Sequence, residues 1–278
     1  MRICATNGII KEANLNLNYS EEAMKTVKSY TFMTDRFMTM AFNIPVAQHV
    51  LSVIMDTNLV VKSVKQQPIE DNFFSKSCRF DVLAEDDTGK IYNIEVQNSD
   101  EGANPKRARY NCELMDEFII KKGTAYADYP ESYVIFITEN DVLEGGLPIY
   151  HIDRYIKENG KSFLDGQHIL YVNGKNRDTS TALGQLMVDM QQQDATKISN
   201  KVLADRMKLL KQGEAFETMC KEVDKLTAEE RTKTLAESVV NLVLSGSFTV
   251  DSAISILRVS SDIQTIVREK AQKLLSEK

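Results

Sequence analysis

Two acidic residues, Asp81 and Glu95, stand on the two arms of a segment patterned as a tight β-hairpin, RFDVLAEDDTGKIYNIEVQ over residues 79–97. Two alternating runs flank the turn-rich Asp86-Asp87-Thr88-Gly89. A three-residue loop Asp87-Thr88-Gly89 puts Gly89 where a left-handed backbone is wanted. That loop sets Phe80 against Val96, Val82 against Ile94 and Ala84 against Tyr92 on an apolar face. Asp81 then lies opposite Glu95, and Arg79 opposite Gln97, on the other face. Carboxylates paired across strands repel by a few tenths to about 1 kcal/mol. A divalent cation between them removes that repulsion. Hard oxygens at two fixed points, with waters completing an octahedron, suit Mg²⁺. A cation so held can polarise a phosphodiester and acidify a bound water. The same spacing also fits a solvent-facing hairpin that happens to carry Asp and Glu.

The surrounding elements must hold this hairpin in place. Asp35–Ile54 carries apolar residues at helical spacing and is interrupted by Pro45, which predicts two short helices. Residues 59–76, with Val60, Val61 and Val64, include a candidate edge strand. After the hairpin, Asn104 as cap, Pro105 in the first turn and Gly123 as the stop delimit a helix. Ala108, Cys112, Met115 and Ile119 form its buried stripe. Tyr133–Thr138 is an unbroken β-forming run, expected as a central strand covered on both faces. Strand, helix, strand then implies a parallel crossover. A further strand is expected near Ile169–Val172. From about Thr181 helical patterns dominate, in pieces that include Ala215–Leu226 and Ala228–Leu244, with Thr227 and Glu230 as a capping box. The expected organisation is an N-terminal extension over 1–29, an α/β domain over 30–178 and an α-helical C-terminal region over 179–278.

The bulk numbers fit an ordinary globular chain of 278 residues, 42% hydrophobic and 27% charged. The scattered cysteines, Cys4, Cys78, Cys112 and Cys220, form no C-x-x-C pair and read as reduced thiols in a cytoplasm. The N-terminus lacks the apolar run of a signal peptide, and no stretch is long enough to span a bilayer. The expectation is a cytoplasmic protein without a membrane segment. A net charge of −6 argues against a protein that coats nucleic acid indiscriminately, but not against one with a local basic strip.

Asp81, a hairpin and then Glu95-Val96-Gln97 resemble the D…(D/E)-x-K signature in its E-x-Q form. That form is similar to the one found in PD-(D/E)XK nuclease family transposases and the Rpn-like recombination-promoting nucleases. The similarity extends to Thr34-Asp35-Arg36-Phe37 with Ala41-Phe42, and to Arg107–Tyr110 with Lys122-Gly123 and Tyr126. It continues through Tyr133–Asp141, Gly146-Leu147-Pro148-Ile149-Tyr150, Asp165-Gly166 and Asn173-Gly174, covering roughly residues 30–175. The resemblance implies a restriction-endonuclease-like mixed sheet flanked by helices. It also implies a Mg²⁺- or Mn²⁺-dependent DNA endonuclease linked to recombination or mobile elements. Asp81 and Glu95 would be metal ligands, with the Val96 carbonyl as a third donor. Gln97 stands where the family signature usually has lysine and offers only a neutral hydrogen bond. Arg79, opposite Gln97 in the expected register, is a candidate for the missing charge. The alternative is a catalytically degenerate nuclease fold serving as a DNA-binding or protein-assembly module.

Lys106, Arg107 and Arg109 crowd the first turn of the helix after the hairpin, where the dipole disfavours cations and a backbone phosphate would be welcome. A solvated charged turn explains them as well. Asp35 is a candidate additional acid, or a carboxylate that complements its own helix dipole. Residues 247–275 resemble a helix-turn-helix only faintly; two packed amphipathic helices, a partner contact or self-association fit equally. His49, His151 and His168 are isolated and show no metal spacing. G-x-S-x-G, Walker and H-E-x-x-H motifs are lacking.

Overall fold

A computed structural model describes residues 19–66, 69–70, 78–120 and 123–277. Two compact units divide the chain. One is Lys28–Ala215; the other is Phe216–Lys278 with the described part of Met1–Val27.

The larger unit is built on a mixed six-stranded sheet flanked by helices. Its strands are β1 (Val61–Gln66), β4 (Val82–Asp86), β5 (Ile91–Gln97), β6 (Ser132–Thr138), β7 (Ile149–Ile152) and β8 (Gln167–Asn173). The sheet order is β1-β4-β5-β6-β8-β7, and β2 (Ile69–Glu70) pairs with β3 (Cys78–Arg79) in a separate two-stranded ladder. The central β5, β6 and β8 run parallel, and the outer strands are antiparallel. Every residue of β6 is buried, as its unbroken apolar run requires of a central strand. The edge strand expected within 59–76 is β1; residues 67–68 and 71–77 of that span lie outside the described residues. The antiparallel edge strand β7 has no counterpart in the sequence reading, because its four residues are short and only partly covered.

Helices α2 (Asp35–Ala41) and α3 (Ile44–Ile54) are the pair expected around Pro45, which lies in the first turn of α3. Asn43 caps α3 by accepting the Val46 N–H, a device typically worth about 1 kcal/mol. α2 packs beside β5 and α3 beside β1, with α5 (Ala182–Met190) and α6 (Lys201–Leu210) against them. The loop between α5 and α6 closes on Asp189, whose buried carboxylate accepts from Ser199 N–H and Oγ–H, Asn200 N–H and Gln185 Nε2. Lys211, after α6, donates to three backbone carbonyls, those of Lys28, Tyr30 and Gln193.

The opposite face of the sheet is covered by α4 (Pro105–Ile119). Its Ala108, Cys112 and Met115 pack with Leu83, Ile91, Val134, Phe136 and Tyr171. The Asn104 side chain caps α4, with Pro105 in its first turn, as the sequence predicts. Its end differs. The helix closes on Ile120 in an extended conformation, before Gly123, whose φ of +95° belongs to the following turn.

In the smaller unit, α7 (Gly213–Leu244) is one continuous helix of 32 residues. The expected break at Thr227 is absent: residues 221–231 contain no glycine or proline and are rich in Glu and Lys, which favour a helix. α8 (Val250–Ile256) carries the capping box instead, between Thr249 and Ser252. α8 and α9 (Gln264–Ser276) pack on α7 through Ala236, Val239, Val240, Ala253, Ile254, Val267 and Ala271. α1 (Glu21–Ser29) is introduced by Ser20, whose N–H and hydroxyl both donate to Asp224. No single helix among the described residues is long and apolar enough to cross a membrane.

Candidate functional site

The hairpin β4–β5 turns through Asp87-Thr88-Gly89, with Gly89 at φ +86°. Its register is the expected one, Val82 facing Ile94 and Ala84 facing Tyr92. Asp86 locks the turn. Fully buried, it accepts from the backbone N–H of Thr88 and Lys90, the Thr88 hydroxyl and the Tyr92 hydroxyl.

One residue before β4 the ladder ends in a bend at Asp81. Phe80 therefore does not join Val82 and Val96 as regular alternation would require. It packs edge-on against Phe118 of α4 at 6.0 Å, on the side of Leu83. Arg79 is not opposite Gln97 either: its backbone pairs with Ile69 in the β2–β3 ladder, and its side chain lies outside the described residues. Irregularities of this kind re-aim side chains beside functional sites. Here the bend turns Asp81 towards β5. Asp81 Oδ2 accepts the Val96 N–H at 3.3 Å, and the Asp81 N–H donates to Glu95 Oε1 at 3.3 Å. Each carboxylate thus accepts a backbone N–H at or beside the other acid.

Glu95 is fully buried in the middle of the sheet. Burial raises the pKa of its carboxyl, and the neighbouring Asp81 charge adds to the rise; the Arg107 guanidinium works against both. Arg107, from the first turn of α4, turns inward. Its Nη2 lies 3.0 Å from Glu95 Oε2, while Nη1 donates to the Gly102 carbonyl at 3.0 Å and to Gln97 Oε1 at 3.4 Å. Gly102 leaves the space that Gln97 needs, since a Cβ there would lie 2.0 Å from Gln97 Oε1. Lys106 and Arg109, the other cations of that turn, remain exposed on α4. Asp35 is exposed in the first turn of α2.

The donor set fits a hard cation. Among the described residues no group of three or more acidic, histidine or cysteine side chains gathers in one place. Mg²⁺ asks for less: one or two carboxylates, with water and substrate oxygens filling the other positions. Asp81, Glu95 and the Val96 carbonyl could supply that. The Arg107 guanidinium already occupies one side of Glu95.

One polar residue of this face has no counterpart in the sequence reading. Asn93 sits two positions before Glu95, fully buried, with Leu83 and Val134 as its cross-strand partners. Its signal was an amide between Tyr92 and Ile94, a residue type depleted in strands.

A mixed six-stranded sheet flanked by helices is the fold expected of a PD-(D/E)XK nuclease-like protein. A family model described as PD-(D/E)XK nuclease family transposase matches residues 47–244, and the chain belongs to that family. No curated protein and no solved structure matches the chain.

Proposed function

We propose that this chain is a metal-dependent DNA endonuclease in which Asp81 and Glu95 hold Mg²⁺ or Mn²⁺. The observation that carries the reading is the bend at Asp81, which gives up ladder pairing to bring a second carboxylate to a buried glutamate. Like charges so placed destabilise the fold, and cation binding gives the arrangement a purpose.

When bound, the ion would supply electrophilic polarisation of a phosphodiester and would acidify water. Asp81, Glu95 and the Val96 carbonyl would hold it. Gln97, at the position of the family's usual lysine, orients water through its amide. Arg107, bonded to Gln97 and Glu95, supplies the positive charge that glutamine lacks, a role the sequence reading gave to Arg79. Exposed Lys106 and Arg109 contact backbone phosphate. Asp35 complements the dipole of α2 and takes no part. The family's description connects the activity with transposition, and the Rpn-like resemblance connects it with recombination.

A second reading draws on one specific observation, the Arg107–Glu95 ion pair. An internal cation that permanently satisfied Glu95 would leave a fold that binds DNA or protein without cutting. Plasmid nicking with Mg²⁺ or Mn²⁺ separates the two. Nicking that disappears in both Asp81→Ala and Glu95→Ala supports the enzyme. Intact DNA binding with no nicking under either metal supports the binding module.

A further inference from the structure

Asn93 presents an energetic problem that the fold alone does not solve. Both Nδ2 and Oδ1 are buried and have no hydrogen-bond partner, which holds for no other side chain among the described residues. Leaving buried polar atoms unpaired carries their desolvation penalty without compensation. Buried orphans of this kind are rare enough in native proteins to call for a reason. The cross-strand neighbours, Leu83 and Val134, are apolar, so an apolar side chain of the same branched shape, such as leucine, would carry no such penalty.

The position of the side chain supplies the reason. Residues two apart on a strand share a face, and Asn93 is followed on its face by Glu95. The remaining sides of the Glu95 carboxylate are held from elsewhere: Oε1 by the Asp81 N–H and Oε2 by Arg107. The amide is near enough to favour the ionised carboxylate, yet does not close a hydrogen bond with it.

We propose that Asn93 is a positioning residue for Glu95, whose buried Nδ2–H group closes onto the carboxylate and steadies it in the orientation that receives a divalent cation. The proposal rests on Glu95 being a metal ligand. Groups that orient metal ligands typically contribute 10- to 100-fold in metal affinity.

The test uses the full chain and Mn²⁺ alone, with affinity read by calorimetry and metal-free thermal melting recorded alongside. Asn93→Leu is expected to melt no lower than wild type, since it removes an unpaired amide, and to bind Mn²⁺ roughly 10- to 100-fold more weakly. Asn93→Thr, which keeps a hydroxyl donor, is expected to fall between the two. Wild-type Mn²⁺ affinity in a folded Asn93→Leu variant overturns the proposal and leaves the Asp81–Glu95 reading standing. Absence of Mn²⁺ binding by wild type itself overturns both. Failure of both variants to fold assigns Asn93 to the core and overturns the positioning role.

Discussion

Arg107 and Glu95 form an ion pair of unequal burial: Nη2 to Oε2 is 3.0 Å, with one side chain 40% exposed and the other fully buried. Arg107→Ala leaves the glutamate carboxylate without its cation. Removing one partner of a fully buried pair costs roughly 3–5 kcal/mol. Water reaches the guanidinium here, so about 1–2 kcal/mol is expected. Adding Glu95→Gln to Arg107→Ala should restore most of it, because the charge that lost its partner is gone. Urea denaturation of wild type, both single variants and the double variant measures this. A double variant no more stable than Arg107→Ala would contradict the pairing.

Gly102→Ala should damage the site while sparing the fold. The new Cβ would sit 2.0 Å from Gln97 Oε1, and Gln97 is flexible and only partly buried. It swings outward and leaves Arg107. Misplacement on that scale lowers nicking by on the order of 10- to 100-fold, with an unchanged circular dichroism spectrum. Full nicking activity in this variant would remove Gln97 from the proposed machinery.

Asp86 gives the fold an acid limit. Burial raises its pKa, but four hydrogen bonds from Thr88, Tyr92 and Lys90 more than offset this and hold it below the usual carboxylate value. A depressed folded-state pKa means that the unfolded chain binds the proton first. The contribution is therefore complete above the ordinary value and is lost as pH falls through the depressed one. Asp86→Asn should lower stability at pH 7 by about 1.5–3 kcal/mol, the range for hydrogen bonds to a charged group. The difference from wild type should shrink towards pH 2. A gap that stays constant with pH would show that the charge is not what matters.

Lys106 and Arg109 can be tested through salt. Each phosphate contact contributes about one unit to the slope of log affinity against log salt. Lys106→Ala and Arg109→Ala should each lower the slope for duplex DNA by about that amount, irrespective of sequence. Unaltered slopes would assign both side chains to solvent.

The elements around the acidic pair were legible because their signals are local. The turn Asp87-Thr88-Gly89, the Asn104-Pro105 helix start and the run Tyr133–Thr138 each carry a period or a cap within a few residues. Asp81 and Glu95 were legible as a pair for the same reason. What escaped depends on tertiary contact. Regular alternation placed Phe80 beneath Val96; the pull of Phe118 and the β2–β3 ladder breaks that alternation at Asp81. Arg107 shares its turn with Lys106 and Arg109, and only the packing angle of α4 decides which one turns inward. The orphaned amide of Asn93 becomes apparent only once its neighbours are known. Thr227 carried a valid capping signal that an uninterrupted run of helix-favouring residues overrode.

The hairpin also orders events in time. Asp81, Glu95 and Arg107 all belong to one short continuous segment, whereas the pairing of β6 with β8 joins residues such as Thr138 and Asn173 that are far apart in the chain. Loop closure is fastest for near neighbours. The Asp81–Glu95 contact can therefore form while the parallel centre of the sheet is still open, so the collapsing chain already carries this acidic corner.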